Sequence, residues 1–232
     1  MLIKITGVLT QDEVARVRAA LAGGTFVDGN QSVGVVNQGV KNNEEFQRPS
    51  AQPTEADQIV GQALMRNPTF QDFALPAKLP PPMYNRYGPG MNFEAHIDSP
   101  ILGERMVFRA DLSFTLFLTN PSEYEGGELI IDTGIGEQAV KLDPGDAVVY
   151  SSGRLHRVAP ITRGERLCAI GWLQSRVRDE AMREILYDLA CVSKELHNQA
   201  EARGGIQPGA EREVYNRLYK VYANLIRTHA DT

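Results

Sequence analysis

Cysteine and histidine are scarce in this chain of 232 residues, which has two of the first, four of the second and a single tryptophan. Two cysteines cannot staple a domain of this length, so a disulfide scaffold is excluded. Cys168 lies in an apolar strand pattern and Cys191 in a helical one, and both read as buried structural thiols. Long apolar runs are missing too. Nothing approaches the roughly 20 residues that span a bilayer, and Met1-Leu2-Ile3-Lys4 does not begin a signal peptide. Nor is there an excess of positive charge: with 24 Lys and Arg against 29 Asp and Glu, the net charge of −5 offers no general field to a phosphate backbone. These absences point to a cytoplasmic protein in a reducing compartment, with neither nucleic acid nor membrane as a partner.

What is present is an ordinary globular composition, 42% hydrophobic and 23% charged, enough for one sizeable domain with an appendage. Thr10 with Glu13 forms a capping-box pattern, followed by Val14, Val17 and Leu21 at helical spacing and stopped by Gly23-Gly24. Thr54 with Asp57 repeats the signal, Ile59, Val60, Ala63 and Leu64 supply the stripe, and Asn67-Pro68 ends it. Between these helices, Asn30, Asn37, Asn42 and Asn43 mark strand and loop, with Lys41-Asn42-Asn43 read as a polar loop in preference to a segment that reaches substrate.

From about residue 82 the period becomes that of strands, over 83–87, 94–99, 108–119, 128–132, 138–142, 147–151, 156–161 and 166–174. Gly88-Pro89-Gly90, Glu125-Gly126-Gly127 and Asp143-Pro144-Gly145-Asp146 separate them as turns. Short strands so spaced predict a double-sheet jelly roll, and with the helices an α+β protein. After Ser175 helical spacing returns, with Met182, Ile185, Leu186, Leu189 and Val192 on one face. A glycine-rich break at 204–209 then precedes Val214, Leu218, Val221, Leu225 and Ile226. The expected organisation is a jelly-roll domain with N-terminal helices over 1–176 and a helical section over 177–232, packed on the barrel or forming a homodimer.

His96-Ile97-Asp98 places an imidazole and a carboxylate at i and i+2, on one face of an extended segment. His156 opens a later strand 58 positions after Asp98, where a jelly roll brings a neighbouring strand alongside. Two imidazoles and one carboxylate make a facial triad, the set associated with non-heme ferrous oxygenases. His-x-Asp alone is a weak signal. Arg166 strengthens it, because strand parity puts it on the face of Cys168, Ile170 and Trp172, which must point inward. A buried guanidinium needs an anion, and the distal carboxylate of 2-oxoglutarate would satisfy it with a bidentate pair. An internal acid, or a bulge that turns Arg166 outward near Arg163 and Glu165, is the alternative.

Several motifs occur in a fixed order: Tyr87-Gly88-Pro89-Gly90, His96-x-Asp98, Asp111 to Leu118, Gly126-Gly127-Glu128-Leu129, Pro144-Gly145-Asp146, His156-Arg157-Val158 and Arg163-Gly164-Glu165-Arg166. In that order they resemble the prolyl-4-hydroxylase-type oxygenases, and more closely the bacterial PKHD-type hydroxylases linked to iron uptake. The resemblance implies a double-stranded β-helix that binds Fe(II) through His96, Asp98 and His156 and 2-oxoglutarate through Arg166. It also implies O2 as co-reactant, ascorbate as a further ligand, and hydroxylation of a small molecule or a protein. In related hydroxylases a residue placed like Tyr87 faces the cosubstrate, and one placed like Phe117 is often a tyrosine that assists the arginine. Phe117 has no hydroxyl, and Thr115 on the same face is the candidate to supply one. Two other readings stay open: a cupin-like zinc or manganese hydrolase or isomerase, and a jelly roll that senses iron or 2-oxoglutarate without turnover.

Trp172 is expected to fill the barrel, Asp146 to serve its turn, and Asp111 to line the pocket mouth or end a strand. His197 and His229 are expected to be solvated in the tail.

Overall fold

In the computed structural model, which describes residues 1–32, 39–103 and 106–231, the chain divides into two compact units. One comprises Met1–Asn67 and Lys78–Gln174, the other Pro68–Ala77 and Ser175–Thr232. Asn37 lies outside the described residues.

In the first unit both capping boxes form. Thr10 Oγ1 accepts from the Glu13 amide at 3.2 Å, and the Glu13 carboxylate accepts from the Thr10 amide at 2.9 Å, which starts α1 (Gln11–Ala22). Thr54 and Asp57 repeat the exchange at 3.2 and 2.8 Å to start α2 (Glu55–Arg66). The expected stripes are the buried ones: Val14, Val17 and Leu21, then Ile59, Val60, Ala63 and Leu64.

Two antiparallel sheets make the jelly roll. The larger runs in the order Leu2–Ile5, Ala147–Ser151, Leu112–Phe117, Arg166–Ser175, Met83–Tyr87, Glu44–Phe46, Phe26–Asp28. The five-stranded one runs Glu137–Val140, Leu129–Asp132, His156–Val158, Asn92–His96, Lys41–Asn42. Both sheets contribute to one core, in which Phe117, Val148 and Cys168 of the larger pack with Phe93, Leu129 and Val158 of the smaller. Strand boundaries differ from expectation in three places. The run 94–99 closes at His96, so Asp98 follows its strand. The run 108–119 breaks into Phe108–Arg109 and Leu112–Phe117, and 156–161 into His156–Val158 and Ile161–Gly164. At the break within 108–119 the Asp111 carboxylate turns back on Arg109 Nε at 2.6 Å, and Asp111 does not line the pocket. Asp146 serves its turn and also accepts from the Gly7 amide at 2.8 Å.

The second unit holds α3 (Pro68–Ala74), α4 (Glu180–Glu201) and α5 (Ala210–His229). Asn67-Pro68 stops α2 as expected, but Pro68 then opens α3, a helix the sequence reading missed. Phe73 of α3 meets Tyr187 of α4 edge to face, with centroids 5.3 Å apart. Leu186 is buried, whereas Ile185 and Val192 of the same apolar stripe are exposed, as are Val214 and Val221 on α5. Cys191, expected to be buried, is exposed. Five positions from Leu186, it lies about 140° around the helix from the buried side. His197 and His229 are exposed, as expected. No helix among the described residues is long and apolar enough to cross a membrane.

Asp57 joins the cap of α2 to a forked pair with Arg48, whose Nε and Nη2 each lie 3.0 Å from a carboxylate oxygen. Burial pushes the Asp57 carboxyl up, but the bonds from Arg48 and the Thr54 amide outweigh it and hold it below the ordinary carboxylate value. A pKa depressed by folding gives stability that is complete above the unfolded value of about 4 and is lost as pH falls through the folded one. Asp57→Ala should therefore cost about 2 kcal/mol at neutral pH and soften the acid-side loss of stability, both read from urea-unfolding midpoints across a pH series.

Candidate metal centre

Every residue the sequence singled out for the site, His96, Asp98, His156, Arg166, Tyr87 and Thr115, lines one cavity between the two sheets. It encloses about 840 Å³ including its open mouth, enough for a five-carbon dicarboxylate with part of a second molecule.

His96 ends its strand and His156 begins the neighbouring one, directly opposite across the antiparallel ladder, and their ring centroids are 4.3 Å apart. Each ring is fixed by the same local device. Nδ1–H of His96 donates to the Glu94 carbonyl at 2.8 Å, and Nδ1–H of His156 to the Arg154 carbonyl at 2.9 Å, each two residues upstream. That choice of tautomer leaves both Nε2 lone pairs free to ligate. Asp98 Oδ2 lies 3.8 Å from His156 Nε2, and one donor atom from each of the three residues falls within 4.8 Å of the others. Burial, reinforced by the neighbouring His156, pulls His96 down to about 4, so it is neutral at physiological pH. Two lone pairs and a carboxylate converging in a buried site repel one another unless a cation lies between them, so the donor set fits a divalent metal.

The surroundings hold these donors in place. Ser113 Oγ donates to Asp98 Oδ2 at 2.6 Å and, having one proton, accepts from Ser152 Oγ at 2.8 Å. The Phe93 ring stacks on His96 with centroids 3.6 Å apart, and Tyr150 meets the His156 ring edge-on at 5.2 Å. Sequence reasoning gave Ser113 and Tyr150 no role. The signal was available, since Ser113 shares parity with Thr115 and Phe117, and Tyr150 with Val148. Ser152 lies beyond its strand, where parity says nothing. Lys41 corrects an expectation: it is no polar loop residue, but is buried on a short strand beside Phe93, lines the cavity and pairs with the buried Glu45.

Arg166 is 1% exposed. Its guanidinium rests over Tyr87 and Phe117, at 5.3 and 5.4 Å from the ring centroids, and Nη1 donates to Cys168 Sγ at 3.1 Å. Nε has no hydrogen-bond partner, and no carboxylate among the described residues forms an ion pair with the group. The neighbouring charges are engaged elsewhere, Arg163 with Glu125 at 2.9 Å and Glu165 near Arg86 at 3.9 Å. A sealed cation without a protein anion calls for one from a ligand, and the open side of the cavity is where that ligand enters.

The comparisons agree with this geometry. Residues 82–174 match the model of the 2OG-Fe(II) oxygenase superfamily. The chain is similar to a PKHD-type hydroxylase of Gluconobacter oxydans, 45% identical over the whole of both chains, and to one of Caulobacter vibrioides, 40% identical over the same extent. Among solved structures it shares the fold of a prolyl hydroxylase from Trichoplax adhaerens, crystallised with a peptide of hypoxia inducible factor. That match has a TM-score of 0.58 and 16% identity, covering 78% of this chain and 86% of that one.

Gly127 makes room for Arg166. At φ +69°, a Cβ added there would meet Ile161 Cδ1 at 2.2 Å and Arg166 Cδ at 3.1 Å. Gly127→Ala should cost about 1–3 kcal/mol, from the strained backbone and the displaced guanidinium stem, measured as a lower thermal or urea midpoint.

Proposed function

This chain belongs to the PKHD-type hydroxylases of the 2OG-Fe(II) oxygenase superfamily, and from that premise we propose that His96, Asp98 and His156 hold its iron while Arg166 grips 2-oxoglutarate. The enzyme is a hydroxylase that uses Fe(II), 2-oxoglutarate and O2. Iron bound at such a site couples the conversion of 2-oxoglutarate and O2 to succinate and CO2 with insertion of the second oxygen atom into a C–H bond of the substrate.

The chain's own residues do the rest. Nδ1–H bonds to the Glu94 and Arg154 carbonyls orient the two imidazoles before metal arrives, and Ser113 fixes the carboxylate rotamer of Asp98. Arg166 presents its fork to the distal carboxylate of the cosubstrate, with Tyr87 and Thr115 on the same cavity wall as polar contacts. Phe93, Tyr150 and Val158 line the cavity with rings and methyl groups that limit water around the metal, where stray water would uncouple the reaction. No side-chain general base is required. Ascorbate, as a reductant that keeps the iron ferrous, and a cytoplasmic location, consistent with two free thiols, complete the reading.

The observation that carries this assignment is Arg166, buried with Nε unsatisfied in the cavity that holds the triad. A cupin-like hydrolase or isomerase would have no use for that cation. A sensor would use it without turnover, and succinate release separates the two.

Anaerobically iron-loaded protein given 2-oxoglutarate and O2 should release succinate. His96→Ala or Asp98→Ala should abolish that release, and unchanged turnover in either variant would contradict the metal assignment. Arg166→Lys keeps the charge but loses the fork, so its KM for 2-oxoglutarate should rise at least tenfold in succinate assays; a wild-type KM would mean the guanidinium holds something else.

A further inference from the structure

Tyr150 lies in Ala147–Ser151, a strand buried along its whole length, and is itself 3% exposed. Its ring meets the His156 ring at 5.2 Å and an angle of 68°, and it lines the same cavity as Arg166 and His96. In the ladder it stands opposite Ser113, the residue that holds Asp98. Apolar groups surround the ring, but the hydroxyl is another matter: no hydrogen bond joins it to any described residue, and it is not one of the sealed polar atoms, so it opens onto the cavity. A phenol O–H that faces a cavity and has no acceptor in the protein is a ready donor to whatever fills that cavity.

The charges around Tyr150 indicate what that acceptor is. Asp98 and Arg166 line the same cavity as Tyr150, so a ligand held between the metal donors and the guanidinium lies beside its ring. Its O–H carries one proton to donate to such a ligand. An anionic acceptor near a guanidinium is a carboxylate. The larger sheet lacks a hydroxyl at Phe117, which lies under the guanidinium and has only a ring to offer.

We propose that the Tyr150 hydroxyl donates a hydrogen bond to the 2-oxoglutarate bound between the metal triad and Arg166, supplying from Ala147–Ser151 the contact that Phe117 cannot make. The inference rests on the cosubstrate reading above. It adds a binding residue that motif order does not mark, since Tyr150 belongs neither to His-x-Asp nor to the segment around Arg166.

Trp172, the only tryptophan in the chain, lines the cavity and reports binding without turnover. Its fluorescence would be followed as 2-oxoglutarate is added to anaerobic Fe(II)-loaded protein, wild type and Tyr150→Phe, with Fe(II) affinity measured separately for each. Tyr150→Phe keeps the ring against His156 and removes only the O–H. The Kd for 2-oxoglutarate should rise about tenfold or more while Fe(II) affinity stays at the wild-type value, as for loss of one hydrogen bond to a charged group. An unchanged Kd for 2-oxoglutarate would overturn the proposal. So would a parallel fall in Fe(II) affinity, because Tyr150 would then merely brace His156. If the wild type itself binds no 2-oxoglutarate, the cosubstrate reading fails and this inference with it.

Discussion

His156 stands directly across an antiparallel ladder from His96, and the rest of the site depends on that register. Strand side chains alternate between faces, so a slip of one residue would turn the imidazole of His156 out of the barrel. Each histidine then needs only its own backbone to set its tautomer, through a carbonyl two residues upstream. Asp98 has no such help, because it lies past the end of its strand, and Ser113 of the opposite sheet, itself bonded to Ser152 just beyond that sheet, secures it instead. Local geometry thus fixes two ligands, and packing of one sheet on the other fixes the third.

The same interior carries an electrostatic load that folding alone does not discharge. Two imidazoles and a carboxylate that could hold a metal ion converge, and Arg166 is sealed in without a carboxylate partner among the described residues. Each arrangement is costly in the free chain and is relieved by what binds there. Ligands that bind only the folded state stabilise it by mass action, so on the proposed assignment metal and dicarboxylate would act as structural components of this barrel as well as reactants. The fold tolerates the load because Arg166 is otherwise well packed, between two aromatic rings and over a glycine at +69°. Lys41 meets the same problem differently, with Glu45 as a buried partner from its own chain.

How much of this could be read from the residues depends on how local each signal is. His96 and Asp98 are two positions apart and Arg166 shares its strand with Cys168 and Ile170, so parity was enough to aim them. His156 required only that its strand neighbour the first, which the jelly roll supplies. Lys41 was misread because its role comes from pairing with Phe93, 52 positions away, through a strand of two residues too short to have a period. Pro68 was read only as a stop, although proline suits the first turn of a helix, and the seven-residue helix that it opens is too brief to announce itself as α3. Cys191 was expected inside because it is an apolar residue in a helical pattern. Which side of α4 is covered is a property of packing, and the sequence of one helix does not contain it.

If the triad and Arg166 work as proposed, one cavity binds the metal and the dicarboxylate together, each in contact with the residues named for it. Adding 2-oxoglutarate to the anaerobic Fe(II)-loaded wild-type protein while recording the visible spectrum tests it most directly. A metal-chelate absorption band that saturates at one iron and one 2-oxoglutarate per chain is the expected result. Iron bound with no band at any 2-oxoglutarate concentration would contradict the account, since metal and oxoacid would then occupy separate places.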